Sequence, residues 1–197
     1  MKKIKIGKNS LLMIALFSSL GVSAADQDRG TAPISQECSP FIPHTTPSFR
    51  YSYSDTGATA TDKITGLTWS RCTYGQAWDA QAQVCEGNAT LVTWSAAFTA
   101  ASTQDLDNLT HWRVPNIKEL NTIIEGGCTF PAINSEVFPN TVASSQQPYW
   151  SSTPTISLLP GVYDKADYSS VFATDFMTGL SSRHRKDSKV HIRFVHD

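Results

Sequence analysis

Residues 111–120 read HWRVPNIKEL, and their order sets a junction between extended chain and helix. The ring of Pro115 crowds a helical residue before it, so Val114 is pushed extended and Trp112, Arg113 and Val114 are expected to run as a short strand. Asn116 then stands at the N-cap, where its side-chain oxygen can accept from a backbone amide of the first turn. Glu119 can return a hydrogen bond to the cap nitrogen, closing a capping box. Ile117, Leu120, Ile123 and Ile124 recur at helical spacing, and Gly126 with Gly127 offers the positive-φ residue that stops a helix, so the pattern predicts one running on to that pair. Arg113, Lys118 and Glu119 read as cap and solvated face.

Upstream of this junction, Thr93 is placed to cap a first helix on which Trp94, Ala97, Phe98 and Ala101 keep one buried face. Further back the periods shorten. Phe49, Tyr51 and Tyr53 alternate with Arg50 and Ser52 as in a half-buried strand, and Asp55-Thr56-Gly57 turns the chain. Short strands are expected over 59–62 and 67–69, separated by the Thr65-Gly66 turn, with a looped excursion between Cys72 and Cys85. Downstream, Pro131, Pro139 and Pro148 make residues 130–147 a long ordered loop. A strand opens at Tyr149, residues 154–167 read as another loop, and Val171–Phe176 and Leu180–Arg185 form a hairpin through Met177-Thr178-Gly179. The last strand is expected over Val190–Val195.

With 197 residues and 40% hydrophobic content, the chain suits one packed domain. Lys2, Lys3, Lys5 and Lys8, the apolar run from Leu11 to Leu20, and Val22-Ser23-Ala24 have the form of a secretory signal. The expected organisation is therefore a signal peptide over 1–24, a proline-rich arm over 25–48 and a domain over 49–197. The apolar run is short for a bilayer span, so no permanent membrane anchor is expected. Export is expected to place the domain in the periplasm, at the cell surface or secreted outside the cell. Removing the four signal lysines takes the formal charge from -1 to -5. Such a balance does not favour nucleic acid, whose phosphates need clustered Lys and Arg.

Four cysteines in an exported chain should pair. Cys72 and Cys85 share one compact segment, which leaves Cys38 to tie the arm to Cys128, the preferred of three connectivities. Zinc is the competing use, but no CxxC spacing is present, and no metal or other cofactor is expected.

These residues together resemble the bacterial DUF1566 family, which includes the C-terminal domain of the Legionella collagen-like adhesin. The resemblance rests on Asp62, Thr65-Gly66-Leu67-Thr68-Trp69, Arg71-Cys72, Gly75, Trp78 and Cys85, then Trp94 and Ala97. It continues through Trp112-Arg113-Val114-Pro115-Asn116, Lys118-Glu119-Leu120, Pro131-Ala132-Ile133-Asn134 and Phe138-Pro139. It ends on Tyr149-Trp150-Ser151-Ser152, Asp175-Phe176, Gly179 and Ile192-Arg193-Phe194-Val195. It implies an α+β, C-type-lectin-like fold, with two helices packed on a small twisted antiparallel sheet and long loops presenting a binding surface. It also implies a non-enzymatic, adhesin-like module for a glycan, an acidic polymer or an envelope protein, with a homo-oligomer open. The alternative is a structural or accessory subunit of a surface appendage. The Glu-Pro-Asn, Gln-Pro-Asp and Trp-Asn-Asp tripeptides of calcium-dependent sugar readers of that fold are absent, and Asp164, Asp167 and Asp175 are the acidic group considered for calcium.

The strongest binding signal is the basic C-terminal run containing Arg183, Arg185, Lys189, His191 and Arg193. Period-two alternation predicts that Lys189, His191 and Arg193 point outward while Val190, Ile192 and Phe194 enter the core, and that Arg183 and Arg185 share a face beside them. Several guanidinium and ammonium groups on one face suit sulfate, phosphate or carboxylate. Among the five tryptophans, Trp69, Trp94, Trp112 and Trp150 are expected in the core, which leaves Trp78 as the exposed aromatic.

Overall fold

The Asn116 junction forms the predicted cap and then stops early. In the computed structural model, which describes residues 36–159 and 162–197 with 157–167 by backbone alone, Asn116 Oδ1 accepts from the Glu119 amide at 2.9 Å and Glu119 Oε2 accepts from the Asn116 amide at 2.7 Å. The helix spans only Ile117–Asn121 (α2); Ile123 enters the core from the turn beyond it, and Ile124, partly buried, packs against that core and bridges to Ile133. Three close apolar residues are satisfied by a turn as well as by a helix. The first helix, α1 (Trp94–Ser102), is capped by Thr93 and buries Ala97, Ala100 and Ala101. Phe98 is 40% exposed rather than buried, with its ring against Trp94.

Thirteen described strands form small antiparallel sheets. They are β1 (Glu37–Cys38), β2 (Tyr51–Tyr53), β3 (Thr59–Asp62), β4 (Thr68–Ser70), β5 (Ala77–Asp79), β6 (Val84–Glu86), β7 (Cys128–Thr129), β8 (Tyr149–Pro154), β9 (Ser157–Leu159), β10 (Val162–Asp167), β11 (Ser170–Thr174), β12 (Ser181–Arg185) and β13 (Val195–His196). The largest sheet has the order β13-β4-β3-β2 and a second the order β12-β11-β8, while β1-β7, β5-β6 and β9-β10 are pairs. With its two helices, the described chain is α+β. The loops expected between the cysteines and over 154–167 each contain a hairpin, β5-β6 and β9-β10. Phe49 lies in a 3-10 turn and is exposed, so the predicted alternation holds only at Tyr51.

The proposed signal peptide and the first part of the arm lie outside the described residues. From Gln36 onward the arm is fastened down. Cys38 pairs with Cys128 and Cys72 with Cys85. Gln36 donates to the carbonyls of Pro131 and Ile133, and buried Glu125 accepts from the amides of Thr45 and Thr46, both at 2.8 Å. Residues 36–46 thus form a strap over the loop that follows α2.

Two groups of apolar side chains fill the interior. Tyr51, Trp69, Leu120, Ile133, Phe138, Tyr149 and Phe176 belong to one; Ala97, Trp112, Trp150, Val171, Ile192 and Phe194 belong to the other. The segment 190–195 runs between them and is bonded along both edges. Val190 pairs with Val92, the Tyr74 amide donates to Ile192, the Trp150 amide donates to His191, and Val195 exchanges hydrogen bonds with Arg113. Only its end, β13, is regular strand.

Candidate functional site

That central position overturns two of the five residues of the expected basic face, His191 and Arg193. Val190, Ile192 and Phe194 enter the second core group as alternation predicts, but the opposite face is buried too. His191 is 3% exposed and Arg193 fully enclosed, because their side of the segment packs on Tyr149 and Phe138. The Arg193 guanidinium lies 4.8 Å from the centre of the Phe138 ring. It donates to the Ser70 carbonyl at 2.7 Å, to the Arg71 carbonyl and to Thr141 Oγ1 at 2.8 Å. Burial lowers its pKa to about 10, which still leaves it charged at neutral pH. His191 has no protein hydrogen-bond partner for either ring nitrogen, and burial, aided by the Arg193 charge, lowers its pKa to about 4. It is neutral at pH 7. Neither residue is available to a ligand at the surface.

Trp78 is likewise committed inward. The Arg71 guanidinium stacks 4.0 Å from the ring centre, and the indole N–H donates to the Thr56 carbonyl at 2.8 Å. Arg71 itself is buried, lies 4.5 Å from the Tyr53 ring and donates to the carbonyls of Gly57, Glu136 and Val137. Trp78 is therefore half-buried and clamps the β5-β6 hairpin to the Gly57 turn. Of the other tryptophans, Trp69, Trp112 and Trp150 are buried; Trp94 is half-buried, with the Lys186 ammonium 4.6 Å from its ring centre.

What remains at the surface is the outer strand β12 and the turn after it. Arg183 pairs in register with Phe172 and Arg185 with Ser170, so both arginines lie on one face of β12, and both are exposed. His184, on the other face, is half-buried with its ring centre 6.4 Å from that of Trp150, and burial lowers its pKa. Lys189 is exposed, and Arg185 pairs with Asp187 at 2.9 Å. Two guanidinium groups and one ammonium group within seven residues can hold sulfate or carboxylate groups as charge-assisted hydrogen-bond donors. Asp175 accepts from the amide and hydroxyl of Thr178 and so shapes the β11-β12 turn, while the side chains of Asp164 and Asp167 lie outside the described ones.

The sequence does not single out Glu125, and it marks Arg71 only through the family resemblance, with no sign of its buried role; both have partners in distant parts of the chain. Glu125 is 1% exposed, and its partners on the strap lie about 80 residues away. Burial raises its pKa, but the Thr45, Thr46 and Gly127 amides and the Thr46 hydroxyl outweigh that and hold it below the ordinary glutamate value.

Comparison with known proteins adds a family. Residues 58–196 match the Lcl C-terminal domain, a span that runs from the β2-β3 turn to the last strand. No curated protein and no solved structure matches the chain. With most of its length inside that match, the chain belongs to the Lcl C-terminal domain family.

Proposed function

We propose that this chain is an exported, adhesin-like binding module of a bacterial cell envelope, with a C-type-lectin-like arrangement, that recognises an acidic polymer through the outward face of β12. The observation that carries this reading is the placement of Arg183 and Arg185 on one exposed face with Lys189 after the turn. Family membership supports a surface-associated, adhesin-like role. The two disulfides fit an oxidising compartment. Among the described residues no helix is long and apolar enough to cross a membrane.

Exposed ion pairs contribute only about 1 kcal/mol each at best, so recognition must be multivalent along a repeating polymer. It must also weaken with salt, since the screening length is about 8 Å at physiological ionic strength. The test is retention on dextran sulfate and on uncharged dextran across a salt gradient, alongside pull-down from envelope extract. Retention on the sulfated polymer alone, lost as salt rises, is expected. Equal retention on both, or none on either with stable incorporation into an envelope filament, overturns the reading.

A further inference from the structure

We propose that Cys38, Cys128 and His44, with Glu125 as the fourth ligand, form a zinc site that becomes available when the Cys38–Cys128 disulfide is reduced. The sulfurs of both cysteines and a ring nitrogen of His44 lie within 4.8 Å of one another. His44 Nδ1 is 4.0 Å from Cys128 Sγ and 3.6 Å from Glu125 Oε2. Tetrahedral zinc, with Zn–S near 2.3 Å and Zn–N or Zn–O near 2.0 Å, requires about 3.5 Å between sulfur and nitrogen and about 3.3 Å between nitrogen and oxygen. Both separations are already met to within about half an ångström. The two sulfurs must part, to roughly 3.8 Å in that geometry, and Glu125, which lies outside the group of three within 4.8 Å, must close toward them. The movable one is Cys38, which is exposed and sits in a two-residue strand at the start of the described strap, whereas Cys128 is buried.

Two thiolates and an imidazole select zinc over calcium or magnesium, which take oxygen ligands. Glu125 Oε2 now accepts from the amide and hydroxyl of Thr46. As a ligand it would give up the hydroxyl and keep the amide, so the strap would stay docked. The chemistry balances with a dithiol as reductant. The dithiol gives two electrons and two protons to the S–S bond and itself becomes a disulfide, leaving two thiols on the chain. Zinc then displaces both thiol protons to solvent and takes neutral His44. A metal cross-link thereby replaces the covalent one at the same point. Access favours this bridge over the other, in which Cys85 is buried and Cys72 half-buried.

The experiment uses the full chain treated with a phosphine reductant, then titrated with zinc alone and, in parallel, with cobalt(II) as a spectroscopic probe. One equivalent of zinc taken up by the reduced protein and none by the oxidised protein is expected, with a rise in the Tm of the reduced form. Cobalt should give the absorption of a tetrahedral site with thiolate ligation. His44→Ala, an exposed change, should lower zinc affinity at least tenfold without altering disulfide formation. A Cys72→Ser/Cys85→Ser chain should retain the site. The proposal is overturned if reduction brings no zinc uptake, if His44→Ala or Cys38→Ser binds as tightly as the parent, or if zinc binds without raising Tm, as it would on unfolded thiols.

Discussion

Arg193 and His191 show at the residue scale that burial outweighs charge in assigning a role. Arg193 meets carbonyl and hydroxyl oxygens rather than a carboxylate, so its charge is held by several partial charges fixed around it. Arg193→Lys keeps the charge but cannot reach these acceptors in a planar fork, and buried acceptors left unpaired are costly. We expect a loss of about 3 kcal/mol, read as a lower urea midpoint with an unchanged m-value. His191 carries a pH signature. Its folded pKa of about 4 lies below the ordinary 6.5, so between these values the unfolded chain binds more protons than the folded one. Its contribution is therefore present above about pH 6.5 and lost as pH falls toward 4, by at most about 3 kcal/mol. His191→Phe should flatten that part of the stability profile; an unchanged slope from pH 6.5 to 4 would show that His191 is not held neutral.

At the scale of elements, the strap is held by one covalent bond, one buried carboxylate, the β1-β7 pair and the Gln36 hydrogen bonds, and the first two can be removed singly. Cys38 and Cys128 are separated by 90 residues and Cys72 and Cys85 by 13. Chain-entropy reasoning gives the longer loop about 4.5 kcal/mol and the shorter about 3 kcal/mol, both from restriction of the unfolded state. Cys38→Ser/Cys128→Ser should therefore lower Tm more than Cys72→Ser/Cys85→Ser, and the reverse order in calorimetry would contradict this. Glu125→Gln leaves an amide that cannot accept from the Thr45, Thr46 and Gly127 amides together. It should cost about 2 kcal/mol and expose the strap to proteolysis near residues 39–44. Because the folded pKa of Glu125 is depressed, its contribution is present above the ordinary glutamate value and disappears as pH falls through the folded one. That window lies below most of the His191 window, so acid titration separates them.

Across the whole molecule, local signals were legible where the cause was local. The Asn116–Glu119 capping box, the Thr93 cap, β3 and the β11-β12 hairpin follow from spacing alone. The end of α2 did not, because isoleucines at 123 and 124 serve a helix face and a packed turn equally well. The site was half legible for a similar reason. Alternation placed Val190, Ile192 and Phe194 inward and put Arg183 and Arg185 on one face. It could not show that residues 190–195 are enclosed on both sides, since that depends on Tyr149, Phe138, the Ser70 and Arg71 carbonyls and the Thr73 hydroxyl arriving from far away. A basic residue in a strand is exposed only if no second layer packs over it.

The direct test of the binding surface is a salt-resolved titration of dextran sulfate against the parent chain, the Arg183→Ala/Arg185→Ala/Lys189→Ala chain and Arg193→Lys. We expect the triple change to weaken binding at 0.05 M salt at least tenfold and reduce the salt dependence, with Tm held within about 2 °C, since exposed substitutions rarely exceed 0.5 kcal/mol. Arg193→Lys should lower Tm and, below its own unfolding transition, bind as the parent does. Unchanged affinity in the triple variant, with binding lost on Arg193→Lys in the folded state, would contradict the assignment of the surface to β12.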